Sequence, residues 1–550
     1  MKSAIDLINE ANGLRTHHSA MRSIWDEAAR LASPVTSEYL VNDATAPPLI
    51  RQLSACAVEA NRDLASGLMS WVIPEAGNWW KWEPVRALRD REGVKRWLHE
   101  CSEIAHDILR GSNFYIEAYS YLLQRNTTGT ATIWMRTRED TDIINGTWDD
   151  DSPLTFETCP ASDILIAEDA RGRINRWYRT VTFSGRQAVE EFGDKAPEYA
   201  RAHASTPGKE ENRSEYLHCI YKRRQAEGKT AQEAMPWASV WVCPKTKTIL
   251  KSSGYARQPI FTARWERWSR RSPYGISPAQ IALGEIRGYN YFEALLTTLA
   301  EVTVEPRIQV PTEHDSVIDL GPGGVTRVMS PDAAPKEWAT QGRLDWGLDF
   351  LATKEKRINS IFLRDVFAQF STMDDGQRTA YEISKRLVEK LSRVAPATGM
   401  LTSDFFNPML ESLFHWAYTS GQFPPAPADA WVVDALGRPE MPFPEVIQTN
   451  RLSREQSAET EQAIVRIMTT LQPIAALVGS EIYDSINMDR VPQALAIEAG
   501  LKSDLIRSPE EIEAVKTARA QQQQQQQIAE AAMQNPEAAM GIAQSMGMTQ

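Results

Sequence analysis

Residues 278–302, PAQIALGEIRGYNYFEALLTTLAEV, decide the fold, because their apolar side chains recur with the period of a long helix. Pro306 ends this pattern, and a second long helix is predicted over 344–367. One face of the second helix is marked by Phe350, Leu351, Lys354, Ile358, Ile361, Phe362 and Val366. Between the two lies a Pro- and Gly-rich stretch, 303–343, which predicts a small excursion with short β pieces.

The rest of the chain surrounds this pair with helices and one β-rich block. Helices are predicted over Met21–Leu31, over about 50–68, from Thr379 to Arg393 and through much of 405–516. The tryptophans of 71–82 are interpreted as core anchors. Short β-branched and aromatic runs between 127 and 261 predict strands. The fold class is therefore α+β.

The ends of this pattern carry two local signals. Thr379 and Glu382 have the spacing of a capping box, which predicts the start of a helix. After Thr517, seven consecutive glutamines, 521–527, lead into an Ala- and Met-rich tail. Disorder is the first interpretation of 517–550, and helix formation within an oligomer is the alternative.

Composition limits the possible functions. The 550 residues carry a net charge of −12, which argues against a protein that grips duplex DNA by neutralising many phosphates. Five widely separated cysteines indicate neither a disulfide framework nor a four-cysteine zinc site, and a reducing interior is expected. The chain has no apolar run long enough to span a bilayer and no secretory leader at its start, so neither membrane insertion nor secretion is predicted.

The familiar catalytic signatures are missing from the sequence. A phosphate loop, H-E-x-x-H, G-x-S-x-G and a dinucleotide-binding G-x-G-x-x-G after a strand are all absent. The turn Gly321-Pro322-Gly323-Gly324 is a weak phosphate site, since proline lacks an amide N–H. The acidic runs 149–151 and 374–375 are interpreted as solvated loops rather than metal ligands. No cofactor, metal or catalytic residue is predicted.

One zinc-like set of residues also needs an interpretation. His218, Cys219 and Cys243 are metal-ligating types, but no fourth ligand is evident. Neighbouring residues of a strand point to opposite faces of the sheet, so core packing is predicted for them.

Several short motifs occur in an order that resembles the head-to-tail connector, or portal, family of short-tailed bacteriophages. They lie between about residues 15 and 430. The motifs are Arg22-x-x-Trp25 with Pro34, Leu64-Ala-Ser-Gly-Leu-Met-Ser70, Ser112-Asn-Phe-Tyr115, Gly129-Thr-Ala131, Arg264-Trp265 with Tyr274-Gly275-x-x-Pro278, and Thr379-Ala-x-Glu-Ile383 followed by Arg386.

The resemblance implies a phage portal fold with a β-rich wing, long stem helices, a small α/β clip and a helical C-terminal crown. The implied divisions are wing 1–277, stem helices 278–302 and 344–367, clip 303–343, tunnel loop 368–378, wing helices 379–450, crown 451–516 and tail 517–550. The glutamine run departs from the family pattern, which weakens the expectation of a helical barrel beyond the crown.

The function implied by the resemblance is a noncatalytic ring at one capsid vertex in the virion, assembled in the host cytoplasm. The ring, dodecameric in the family, would conduct double-stranded DNA in packaging and ejection. It would contact major capsid and scaffold proteins, the terminase large subunit, and tail adaptor and tail tube proteins. The clip turn 321–324 would dock terminase or the adaptor. Two alternatives stay open, namely a nucleic-acid enzyme subunit of the packaging machinery and a capsid scaffold or interaction protein without a channel.

The last prediction concerns which residues line the channel. The loop residues Met373, Asp374, Asp375, Gly376, Gln377 and Arg378 are expected to face DNA, the alternative being an ordinary exposed turn. Lys354, Lys356 and Arg357 are candidates for sparse basic rings, against the alternative of salt bridges or a solvated face. A net acidic chain suits a conduit, because a strongly basic lining would hold DNA through counterion release.

Overall fold

The computed structural model describes residues 2–34, 54–137, 153–223, 234–310, 312, 318–319, 325–328, 330–337, 344–368, 393–433, 439–450, 515–519, 521, 522 and 526. The chain divides into two units, Met1–Ser453 and Arg454–Gln550. In the second unit the described residues, all between 515 and 526, are helical. No described helix has both the length and the apolar character that crossing a membrane requires.

The first unit combines helices with antiparallel sheets. Its described helices are α1 (Ala4–Ala32), α2 (Cys56–Val72), α3 (Glu92–Arg110), α4 (Phe114–Thr128), α5 (Gly185–Phe192), α6 (Glu198–Ser205), α7 (Pro278–Val304), α8 (Leu344–Ile361), α9 (Arg364–Ala368), α10 (Ala395–Leu401) and α11 (Asn407–Thr419). A π-helical turn, Thr402–Phe406, joins α10 to α11. The mixture confirms the α+β class.

The strands form two larger sheets and three ribbons among the described residues. They are β1 (Trp80–Glu83), β2 (Thr130–Thr137), β3 (Leu154–Cys159), β4 (Ile164–Glu168), β5 (Ile174–Ser184), β6 (Arg213–Lys222), β7 (Trp237–Cys243), β8 (Thr248–Tyr255), β9 (Ile260–Arg264), β10 (Ile308–Gln309), β11 (Lys336–Glu337), β12 (Val432–Val433), β13 (Pro439–Glu440) and β14 (Glu445–Gln448). One sheet is the meander β4-β5-β6-β7-β8, and the other has the order β3-β2-β9. The ribbons are β1-β14, β10-β11 and β12-β13.

The largest core cluster joins the helices to the three-stranded sheet. Trp79, Trp80 and Trp82 are buried within it, as the sequence predicted, and Trp82 packs 4.8 Å from Phe414 of α11 between ring centroids. Smaller clusters cover the five-stranded sheet, where the first turns of α1 pack on one face and α5 and α6 on the other. Burial of these large aromatic and aliphatic side chains is the main driving force for the fold.

Several predicted boundaries were wrong. The first helix, Ala4–Ala32, agrees with a helical start of the chain but is much longer than the stripe predicted over Met21–Leu31. The second runs Cys56–Val72 rather than about 50–68. Sequence patterns gave no prediction for α3 and α4, and α5 and α6 lie inside the block interpreted as strands. Amphipathic helices of ordinary length are easily missed where short β-like runs surround them.

The second long helix also differs from its predicted span. Instead of continuing over 344–367, it ends at Ile361, and a turn at Phe362 and Leu363 separates it from α9. Leu363 has φ +56°, a left-handed conformation that a leucine adopts only at a cost. Both side chains of the turn are buried in the main core.

Candidate functional site

The two long helices lie side by side and run in opposite directions. Glu285 of α7 contacts Lys354 of α8, and further along α7 the ring of Phe292 packs 4.3 Å from that of Phe350. We call the C-terminal end of α7, together with the N-terminal end of α8, the distal part of the pair. There, a Cβ added to Gly347 would lie 2.3 Å from a methyl group of Leu296. The glycine therefore permits the close approach of the two helices there.

The base of this pair is held by the end of α4. Five consecutive polar residues, Gln124 to Thr128, are buried there. The carbonyl oxygen of Thr127 accepts a hydrogen bond from the hydroxyl of Ser277 at 2.7 Å. The carbonyl of Thr128 accepts another from the side-chain amide of Gln280 at 3.2 Å. Ser277 also caps α7, so helix capping and attachment to α4 use the same side chain.

A buried arginine completes the attachment. Arg125 lies within α4, and its guanidinium donates to the carbonyl oxygens of Arg264 and Ala397. It also lies 4.9 Å from the ring of Trp265, in cation–π geometry. Burial lowers the pKa of Arg125 to about 10, because the charged form loses hydration. At neutral pH it remains a cation, and it joins α4, β9 and α10.

Arg264 forms a second charged contact at the same place. Its side chain is 3% exposed, and its Nε and Nη2 donate to Oδ2 of Asp404 at 3.1 and 3.0 Å. Its Nη1 donates to Glu168, the last residue of β4. Glu168 also accepts from Arg267 at 2.9 Å. These pairs attach the five-stranded sheet to the helical part of the unit.

Two glycines, Gly129 and Gly275, allow their backbone segments to approach each other closely. Gly129 has φ +78°, and a Cβ there would lie 2.6 Å from the carbonyl oxygen of Gly275. The amide of Gly275 donates to the hydroxyl of Thr130 at 2.8 Å. A side chain at Gly129 would therefore be strained and would also strike backbone.

The motifs behind the resemblance meet at such contacts. Trp25 is fully buried and packs 5.1 Å from Tyr274, so Arg22-x-x-Trp25 and Tyr274-Gly275 adjoin in space. Asn113 exchanges two hydrogen bonds, both 2.8 Å, with the backbone of Phe156. Gly67 lies against the ring of Phe367, where an added Cβ would approach within 2.5 Å. The segment from Thr379 to Arg386 lies outside the described residues.

The predicted cations of α8 have different environments. Lys354 donates to Oε2 of Glu285 at 2.6 Å, and Arg357 lies 3.5 Å from the other carboxylate oxygen. The hydrogen bond from Lys354 lowers the pKa of Glu285, so the pair is charged at neutral pH. Both cations thus have a partner within their own chain. Lys356 is exposed, with no such partner in the described part of the chain.

The remaining predicted site residues cannot be placed in the same way. The tunnel-loop residues 373–378, the cap residues Thr379 and Glu382, the clip turn 321–324 and the acidic runs 149–151 and 374–375 lie outside the described residues. The zinc alternative is wrong for His218, Cys219 and Cys243. His218 stacks 4.1 Å from Trp241, while Cys219 packs on the opposite face of the sheet.

Sequence reasoning missed Glu285, Arg125 and Asp404. The available signal was the polar run Gln124-Arg-Asn-Thr-Thr128 directly before the strand at Thr130, since buried polar groups at an element boundary need specific partners. Glu285 and Asp404 gave no signal of their own, because each is defined by an arginine or lysine distant in sequence.

The α7–α8 pair leaves large apolar side chains uncovered. Tyr291 and Trp346 are 63% and 58% exposed, and Leu295 and Leu348 are also exposed. Tyr291 and Leu295 lie one turn apart on the same face of α7, and exposed apolar residues that lie together mark surfaces that bind another molecule. The described chain has no element over them.

Comparison with known proteins identifies a matching family and two related proteins. A family model described as "Bacteriophage head to tail connecting protein" matches residues 5–506. The chain is 25% identical over 540 residues to the "Probable portal protein" of Bordetella phage BPP-1, covering 95% of this chain and 92% of that protein. It is 22% identical over 539 residues to the "Portal protein" of Salmonella phage epsilon15, covering 94% and 91%.

Proposed function

Because the chain belongs to the bacteriophage head to tail connecting protein family, we propose that it is a phage portal protein. Copies assemble as a ring at one capsid vertex of the virion, and double-stranded DNA passes through the ring in packaging and ejection. The two portal proteins support this, since each aligns with more than nine-tenths of the chain. The function is structural and involves no catalytic step.

The observation that carries the proposal is the uncovered face of the α7–α8 pair. A soluble monomer gains nothing from exposing Tyr291 and Trp346 on a long, well-anchored helix pair. In a closed ring each subunit presents this face to its neighbour through a heterologous interface. Ring formation would remove the exposed aromatic surface from water.

The charges of α8 refine the expected channel. Lys354 and Arg357 share the single carboxylate of Glu285, so only one of their two positive charges is left uncompensated. Lys356 and Arg357 are both exposed, and Lys356 has no acidic partner among the described residues, so it is the first candidate to line a channel. A nearly neutral lining lets DNA move, because fewer counterions are exchanged for protein cations.

Partners are assigned by position in the chain. The segment 303–343 joins the two long helices and would dock terminase and later the tail adaptor. The loop 368–378 follows α8 and α9 and would face DNA. The rest of the first unit would contact capsid and scaffold proteins, with assembly in the host cytoplasm.

The test is the mass and symmetry of the purified full-length protein by native mass spectrometry and class-averaged electron micrographs. We expect a ring of about twelve copies with a central hole that admits duplex DNA. A monomer at micromolar concentration, unchanged by salt or by scaffold protein, would contradict the proposal.

A matched pair of variants links ring formation to the helix pair. Tyr291→Ser with Trp346→Ser should reduce the ring fraction at least tenfold, because the apolar contacts are lost. Ile5→Ser with Ile116→Ser removes equally exposed apolar side chains elsewhere and should leave the ring intact. Equal loss in both would contradict the assignment of the interface.

A further inference from the structure

A closed loop projects from the three-stranded sheet just beyond β9. The amide of Ile276 donates to the carbonyl oxygen of Glu266 at 2.9 Å, and the two residues form an isolated β-bridge. The loop is thereby fixed at its neck. Its exposed side chains include Arg267, Trp268, Arg270 and Arg271.

A second turn, 169–173, lies directly against this loop. Arg267 donates to both carboxylate oxygens of Glu168, at 3.0 and 2.9 Å, and reaches the carbonyl of Gly172 at 3.5 Å. Gly172 has φ +78°, and a Cβ there would lie 2.5 Å from Nη1 of Arg267. The left-handed backbone of this turn therefore favours glycine. The turn adds exposed Arg171 and Arg173 to the arginines of the loop.

We call the two turns, 169–173 and 267–271, the arginine patch. Arg173 pairs with Asp169 at 3.5 Å. Arg171, Arg270 and Arg271 have no ion pair with any described residue, and Glu266 is the nearest exposed acid in sequence. Arg270 and Arg271 are at most four residues from Arg267, which limits the distance of their Cα atoms from that of Arg267 to about 14 Å. The patch is locally basic although the chain carries a net charge of −12.

Trp268 gives the patch a second property. It is 56% exposed, and no described ring packs against it. Its sequence neighbours, Arg267, Ser269 and Arg270, are polar. Trp and Arg also occur at protein-binding hot spots, but those lie in well-packed, largely apolar patch centres. An isolated indole among guanidinium groups instead matches the stacking platforms that bind single-stranded nucleic acid.

We propose that the arginine patch binds a nucleic-acid strand, with guanidinium groups on phosphates and Trp268 stacked on an unpaired base. Arginine suits this role because its planar fork makes two hydrogen bonds to a phosphate. The site uses neither the α7–α8 pair nor any segment assigned to the channel. It is therefore a nucleic-acid contact in addition to the conduit of the proposed function.

The test measures binding of the full-length protein to labelled oligothymidylate of about 16 nucleotides and to a duplex of equal length. Arg270→Ala with Arg271→Ala should weaken single-strand binding at least tenfold. The slope of log affinity against log salt should fall by about 1.4, since each lost phosphate contact contributes about 0.7 on a single strand. Arg62→Ala with Arg96→Ala removes two exposed arginines elsewhere and should leave binding unchanged.

The tryptophan separates stacking from simple charge attraction. Trp268→Ala should weaken single-strand binding about tenfold while leaving duplex binding unchanged, and Trp268→Phe should retain most of the affinity. Equal loss on both nucleic acids would overturn the stacking contact. Unchanged binding by the Arg270/Arg271 variant would overturn the site.

Competition and assembly controls complete the test. Polyglutamate of matched charge should compete poorly, and competition equal to that of oligothymidylate would identify a carboxylate-binding surface and overturn the nucleic-acid assignment. Native mass spectrometry of the same variants should show unchanged assembly. A patch that binds DNA on a protein forming no ring would leave this inference standing while contradicting the proposed function.

Discussion

The base and the distal part of the α7–α8 pair are built in opposite ways. At the base, polar side chains such as Ser277 and Arg264 are buried and bonded to named partners. Toward the distal part, apolar side chains such as Tyr291 and Trp346 remain exposed. The base is held by bonds within one chain, although the side chains of Gln124 and Asn126 have no hydrogen-bond partner among the described residues. In the proposed ring, the distal part would be covered by a neighbouring subunit. Stability is therefore expected to depend on the base and assembly on the distal part.

The largest loss of stability is expected when the buried charge of Arg264 is removed from the base. Arg264→Ala leaves Asp404 without its partner and should lower the free energy of unfolding by about 4 kcal/mol. Arg257→Ala removes an exposed ion pair with Glu411 and should cost about 0.5 kcal/mol. Denaturant unfolding of both variants measures the contrast. Equal costs would show that burial of the Arg264 pair does not matter.

The next effect concerns the close backbone contact. Gly129→Ala should cost about 3 kcal/mol, because the new Cβ meets the backbone of Gly275 at a left-handed position. Gly284→Ala, in α7, has nothing within 4 Å of the added Cβ and should stabilise the protein by up to about 1 kcal/mol. Thermal unfolding compares them. If the close backbone contact at Gly129 causes the difference, the two substitutions must change the unfolding temperature in opposite directions.

Lowering the pH should destabilise the core through a buried histidine, His106. His106 is buried, its Nε2–H donates to the carbonyl of Trp80 at 2.9 Å, and burial lowers its pKa to about 4. The unfolded chain, with an ordinary histidine pKa near 6.5, binds the proton first, so stability falls as pH drops from about 6.5 to 4. At pH 5 this loss is about 2 kcal/mol.

The matching variant is His106→Gln, which keeps a donor for Trp80 but does not titrate. It should be less stable at pH 7 and should lose less of its stability between pH 7 and pH 5 than the parent protein. Denaturant unfolding at both pH values measures this difference. Parallel loss in the two proteins would exclude His106 as its source.

The smallest effect is expected at Glu285, which lies between the base and the distal part of the helix pair. Glu285→Gln removes the carboxylate shared by Lys354 and Arg357 and should cost about 0.5 kcal/mol, since these groups are partly exposed. The variant also frees both cations, so nonspecific DNA binding should rise and become more salt-dependent. An unchanged salt dependence would show that neither cation reaches DNA.

Sequence reasoning found elements whose signal is local. The long helix from Pro278 carries its own period and cap, and strands such as Trp237–Cys243 carry β-branched and aromatic runs. It failed where the signal was not local. The break at Leu363 follows from core packing, and Glu285 acquires its role only through Lys354, many residues away.

The sequence by itself therefore determined the α+β class, the long helix pair and the family resemblance, because periodicity, capping and motif order are properties of neighbouring residues. The tertiary structure alone decided that Lys354 and Arg357 share the carboxylate of Glu285. It also decided that Gly129 meets Gly275 and that Arg171 joins the arginines after β9. Each of these depends on distances between residues far apart in the chain, which folding sets through the packing of a common core.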